Sequence, residues 1–259
     1  MLVVDVGNTR TRIALFEGED IVRRIVMNTR DLDIDELTAA FAGFSSGGGG
    51  DEVYVASVAP YANALIDSAA ERAGFARRFI RPGADRVIDN RLDFPEKTGV
   101  DRLLAALAAG RRYFSETSGG YVVVQCGSAA TVDVVDRTGV FCGGYILPGP
   151  GYWLSGLGEA AQLPDLSAET PDWQETAPGR NTRDAILHGL AASLPGAVLA
   201  AVRGLCRRLA EGAVDGETEP GLVFTGGWGA AVAALAGGKS EYNPDLVLHG
   251  IRLFMEQTT

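Results

Sequence analysis

The chain is poor in cysteine, in histidine and in uninterrupted apolar sequence, and each scarcity narrows the field. Its three cysteines, Cys126, Cys142 and Cys206, are an odd number with no C-x-x-C spacing. That argues against a disulfide framework and a metal cluster, fits a reducing cytoplasmic compartment, and leaves packing as the ordinary role of all three. The two histidines have no cysteine or serine partner at a recognisable spacing: His188 falls inside an expected helix and His249 just before one. Both read as structural. No apolar run reaches about 18 residues, and the N-terminus enters strand pattern without a basic leader. Membrane-spanning and secretory readings are therefore not expected. Positive charge is also short: the net charge is −10, which argues against non-specific nucleic-acid binding. Any phosphate site must gather its cations locally, and Arg10, Arg12, Arg102 and Arg180 all lie in or beside turns containing Gly or Asn.

What remains is globular. Hydrophobic residues make up 46% and charged residues 22% of 259, enough for one large domain or two of ordinary size. The first sixteen residues organise the rest. Leu2-Val3-Val4 is apolar, Asp5-Val6-Gly7-Asn8-Thr9 interrupts it, and Arg10 to Phe16 alternates again, which predicts strand, tight turn and returning strand. Such a turn gathers the Asp5 carboxylate, backbone N–H groups and the hydroxyls of Thr9 and Thr11, with Arg10 and Arg12 beside them. Amides and cations suit a phosphate, and an Asp nearby can orient a hydrated Mg²⁺. The same residues also make an ordinary β-hairpin.

Further along, Glu19–Met27 reads as a third strand, Thr29–Ala42 as a helix, and Phe44–Asp51, with four consecutive glycines, as a flexible loop. Val53–Val58 reads as a buried strand backed by a helix over Tyr61–Ala73, and Phe79–Ile88 as another short strand. The polar loop from Asp93 to Arg102 opens a helix running to Tyr113. Asp101 at its start is either a helix-start carboxylate or a base, and nothing local separates the two. The pattern then begins again. Tyr121–Val124 is apolar, Gln125-Cys126-Gly127-Ser128 interrupts it, and Ala129–Val135 resumes, a weak internal repeat about 120 residues after the first. Two similar lobes facing each other would bring both turns to one cleft, a usual place for a nucleotide. Pro195 is expected to kink or restart a long helix beginning near Arg183, and Asp215–Pro220 to form an acidic turn.

Several stretches together resemble the type III pantothenate kinase family of the acetate/sugar kinase, heat-shock cognate and actin superfamily. They are Asp5-Val6-Gly7-Asn8-Thr9, Ala56–Pro60, Pro95 with Gly99-Val100-Asp101-Arg102, Gly143–Gly149, Leu163-Pro164, Gly179-Arg180-Asn181-Thr182 with Ala185-Ile186, Thr225-Gly226-Gly227 and Pro244–Leu248. Their order and spacing cover nearly the whole chain. The resemblance implies an α/β fold of two actin-like, ribonuclease H-like lobes, over residues 1–115 and 116–259, with a cleft between them. It implies a cytoplasmic homodimer that phosphorylates pantothenate with ATP, the first step of coenzyme A biosynthesis. By similarity, Asp5, Val6, Gly7, Asn8, Thr9, Arg10, Thr11, Arg12 and Ser128 would hold ATP and Mg²⁺. Asp101 would be the base, and Gly99, Val100, Arg102, Thr182 and Leu92 would line the pantothenate site. Two positions depart from the family pattern: Gln125 stands where an Asp binds a monovalent cation (K⁺ or NH₄⁺), and Leu92 where an aromatic is usual. These departures admit an altered cation dependence or acceptor, or a homologue that binds nucleotide or metabolite as an accessory factor without turnover.

Overall fold

The computed structural model describes residues 1–44, 52–114, 119–161, 163–175, 177–211, 219–237 and 240–258. The four-glycine run and most of the expected acidic turn at 215–220 lie outside these residues. The chain forms two compact units, Met1–Ala108 with Leu246–Thr259, and Ala109–Asp245.

In the first unit, β1 (Leu2–Val6), β2 (Arg10–Glu17) and β3 (Asp20–Asn28) form an antiparallel meander, and β4 (Glu52–Ser57) and β5 (Ala76–Phe79) add in parallel. The spatial order is β3-β2-β1-β4-β5. As the central strand, β1 is buried at all five positions, which is why it reads as an apolar run interrupted only by Asp5. On one face α1 (Ile34–Ala42) and α2 (Asn63–Arg72) pack Leu37, Phe41, Ile66 and Ala69 against Val4, Val6 and Val55. Helix α1 starts later than its apolar spacing suggests. Asp33 caps it by accepting from the N–H groups of Asp35 and Glu36, and Thr29–Asp31 is a separate 3₁₀ turn. Strand β5 ends where the sequence pattern would have begun one, because its pairing with β4 runs from Ala76 to Phe79.

The second unit repeats the plan. Strands β6 (Tyr121–Cys126), β7 (Ala129–Val135) and β8 (Phe141–Pro148) form the meander, and β9 (Gly221–Thr225) and β10 (Ser240–Tyr242) add in parallel, giving β10-β9-β6-β7-β8. Read from its meander, this is the order of the first sheet. Helices α4 (Pro150–Ala161), α5 (Thr182–Glu211) and α6 (Gly229–Ala236) complete the unit. Helix α5 runs unbroken through Pro195, so the helix does not restart there. Proline removes one backbone bond there, and the stripe Leu190, Leu194, Val198, Val202 and Leu205 holds the helix on the core. This helix is long and apolar enough to cross a membrane, and nine of its residues are buried, seven of them in the unit's own core.

Helix α3 (Val100–Tyr113) contains the boundary at Ala108, and α7 (Leu246–Thr258) packs on β1 and β4 of the first sheet. The compact units are therefore not simply the two halves of the chain. A Cβ on Gly250 of α7 would lie 2.2 Å from the Leu104 carbonyl oxygen of α3, so only glycine permits this approach.

Candidate active site

In the first unit the site grows from the carboxyl ends of β1 and β4, the usual ligand edge of parallel strands. The β1–β2 turn closes through the Gly7 N–H on the Arg10 carbonyl at 3.0 Å. Tyr61 donates its hydroxyl to the Asn8 carbonyl at 3.0 Å, and Val58 N–H bonds Val6 O at 3.0 Å. Asn8, Thr9 and Arg10 are exposed on the turn. Asp5 is only 6% exposed, and Arg12 lies opposite it in the β1–β2 register. Nε and Nη2 of Arg12 both donate to Asp5 Oδ2, at 2.9 and 2.6 Å. A buried carboxylate needs such a partner, so Arg12 holds Asp5 and Arg10 remains the exposed cation of the turn. Thr11 is placed differently from Thr9. Thr9 lies in the turn outside β2, whereas alternation turns Thr11 to the strand face opposite Arg12, where its hydroxyl lies 3.0 Å from that of buried Thr29. The turn therefore presents one of the two expected hydroxyls, not both.

The start of α3 reaches the same edge. A Cβ built on Gly99 would stand 3.6 Å from Val58 Cγ1, and Val58 directly follows β4. Asp101, in the first turn of α3, is half-buried, and its Oδ1 accepts the Arg102 N–H at 2.9 Å. The helix N-terminus favours its ionised form. Arg102, Gly99 and Leu92 are half-buried as well. Val100 is 1% exposed, so its side chain serves the core and only its backbone can face a ligand.

The second unit presents the equivalent turn at Gly127-Ser128, with Gly127 exposed and Ser128 half-buried. Cys126 before it is buried, which pushes its thiol well above the ordinary value and keeps it neutral. Gln125 stands in register with Thr131 on β7 and Thr225 on β9, and its Nε2 is buried without a hydrogen-bond acceptor among the described residues. Elsewhere in this unit a cavity of about 520 Å³ is lined by Trp153, Leu157, Leu163, Arg180, Asn181 and Thr182 among others. Asn181 caps α5 by accepting the Asp184 N–H at 2.9 Å, which fixes Thr182 as the first helical residue. Residue-by-residue reading missed Tyr61 and the tryptophan pair Trp173 and Trp228. The one available signal was a Trp directly after Thr225-Gly226-Gly227.

Solved structures match this architecture over the full chain. A Campylobacter jejuni protein described as a Baf-family transcriptional activator superposes with a TM-score of 0.60 at 18% identity, covering 100% of this chain and 98% of that one. A Listeria monocytogenes protein described as an N-acetylmannosamine kinase gives 0.54 at 10% identity, covering 100% and 99%. The duplicated sheet defines the class as the actin-like, sugar-kinase-like two-lobed α/β fold. A family model for type III pantothenate kinase matches residues 1–204. Type III pantothenate kinases of Streptomyces avermitilis and Rubrobacter xylanophilus are 31% and 34% identical to the chain. They align over 99% and 98% of it and over 98% and 96% of their own lengths. The chain belongs to the type III pantothenate kinase family.

Proposed function

We propose that the protein transfers the γ-phosphoryl group of ATP to the primary hydroxyl of pantothenate, opening coenzyme A biosynthesis. The observation that carries this reading, within the family, is that α3 brings half-buried Asp101 to the strand ends that hold the Gly7–Arg10 turn. Asp101 accepts the hydroxyl proton, the oxygen attacks the γ-phosphorus, and the bond to the departing ADP breaks. Phosphoryl transfer asks the protein mainly for positioning and charge balance. Turn amides, Thr9 and Arg10 bind phosphate oxygens, Ser128 adds a hydroxyl, and Arg12 fixes Asp5. Gly99, Arg102, Leu92, the Val100 backbone and Thr182 contact pantothenate.

The residues present fit a Mg²⁺ ion carried in by the nucleotide. Among the described residues no three acidic, His or Cys side chains cluster to cage a metal, while Asp5 stands beside the turn to orient its water. When bound, the ion neutralises charge on the phosphates. At position 125 a monovalent cation would meet a neutral carboxamide, whose oxygen can still coordinate K⁺ or NH₄⁺ but without charge attraction, and no step depends on one. The protein acts as a cytoplasmic homodimer, a reading supported by exposed Tyr145 and Ile146 on edge strand β8 and Tyr152 on α4. Coupled ADP release with pantothenate tests the activity; absence of turnover with Mg²⁺ under any monovalent salt would refute it. Gln125 and Leu92 favour a second reading, a nucleotide- or metabolite-binding factor without catalysis, and Leu92 a third, a kinase for another small hydroxylated acceptor. Calorimetric binding of ATP without turnover would favour the second, and turnover of another acceptor in a screen the third.

A further inference from the structure

Trp228, at the start of α6, is 7% exposed and stacks on Trp173, with ring centroids 5.3 Å apart and planes at 18°. A buried indole needs an acceptor for its N–H. Here the acceptor is the carbonyl of Gly127, at 3.0 Å across 101 positions of sequence. Gly127 is the exposed residue of the β6–β7 turn, whose N–H closes on the Ala129 carbonyl at 3.0 Å, and the indole N–H is the side-chain donor that meets its own carbonyl. In a trans peptide the carbonyl and the following N–H point in opposite directions. Pinning the Gly127 carbonyl toward Trp228 therefore directs the Ser128 N–H to the opposite side of the turn. The neighbouring carbonyl is pinned as well, since Ser128 O accepts the Gly149 N–H at 3.1 Å. Close backbone contact clamps the turn further: a Cβ on Gly149 would lie 2.3 Å from Ser128 O, and one on Gly226 2.4 Å from Cys126 O. The segment carrying Trp173 is anchored in the core by Leu166, so the stack holds the outer face of Trp228 from a fixed base.

We propose that Trp228 is a positioning residue for the nucleotide, its indole N–H setting the Gly127–Ser128 peptide so that the Ser128 amide and hydroxyl meet the ATP phosphates, with Trp173 holding the indole in place. This rests on the kinase reading above. Trp228→Phe keeps an aromatic ring to stack on Trp173, at a smaller volume, and removes the donor. Expected is a rise of about fivefold in KM for ATP, the worth of one neutral hydrogen bond, with KM for pantothenate and kcat at saturating ATP within about twofold of wild type. Calorimetric affinity for ADP falls by the same factor. Trp173→Ala, which releases the indole, moves KM for ATP in the same direction, and Trp173→Phe restores it. A wild-type KM for ATP and ADP affinity in Trp228→Phe would overturn the inference while leaving the kinase reading intact. Equal changes in both KM values with a lowered Tm would also overturn it, by showing a packing role only. Failure of the wild type itself to bind ADP would overturn the kinase reading and this inference together.

Discussion

Replacing Gly99 by Ala separates catalysis from stability in one atom. The new Cβ would lie 2.5 Å from Asp101 Oδ1, while its other neighbours, Val58 Cγ1 at 3.6 Å and Arg102 Cδ at 3.7 Å, are at ordinary contact. Favourable non-bonded contact begins near about 3.5 Å, so the carboxylate must retreat by about 1 Å. That movement strains or breaks its 2.9 Å bond from the Arg102 N–H. A reacting group misplaced by about 1 Å costs on the order of 10²-fold in rate, or about 2.7 kcal/mol of barrier. Stability should hardly change. The displaced atom ends a rotatable side chain, and alanine's lower unfolded-state entropy, about 0.4–1 kcal/mol, offsets the poorer residue before the helix. In a coupled ADP-release assay, Gly99→Ala is expected to lose about 100-fold in kcat with Tm within about 2 °C of wild type. A kcat within about threefold of wild type would refute Asp101 as a base fixed by this contact.

Gln125→Asp restores a charge at a position whose amide nitrogen now has no acceptor. It is expected to strengthen stimulation by K⁺ or NH₄⁺, read from rates across a series of chloride salts; an unchanged response would show that position 125 does not face a cation. Arg12→Ala leaves the Asp5 carboxylate buried without its ion pair. A loss of about 2–4 kcal/mol in urea unfolding is expected, since one partner of a buried pair has been removed. Arg10→Ala, on the exposed turn, should leave unfolding unchanged and raise KM for ATP. Equal stability of the two variants would contradict the division of labour between these arginines.

The repeat of Leu2–Gly7 at Val122–Gly127 was legible because a central strand followed by a tight turn leaves a local mark, and it anticipated two sheets of one topology. Asp101 was legible as a carboxylate at a helix start, two residues after Gly99, while its role as a base came only with the family resemblance. Features decided by distant partners were not. Alternation shows that Thr11 and Arg12 face opposite ways, but only the packing of Thr29 shows which side is buried. The pairing of Arg12 with Asp5 depends on β1–β2 register. Helix α7 joins the first sheet through contacts with β1 and β4, remote in sequence, and β5 takes its limits from β4. Pro195 stays inside α5 because a core stripe outweighs one lost bond. The Trp228 bond to Gly127 spans 101 positions, beyond the reach of any local pattern.

The central claim is that the α3 carboxylate takes a proton from pantothenate's hydroxyl as ATP gives up its terminal phosphoryl group. Single-turnover ADP release with ATP, Mg²⁺ and pantothenate, comparing wild type with Asp101→Asn, tests it most directly. The account expects pantothenate-dependent ADP formation in the wild type and a loss of at least about 100-fold in the variant, with ATP binding retained. Wild-type enzyme that forms no ADP, or a variant that turns over as fast as wild type, would contradict it.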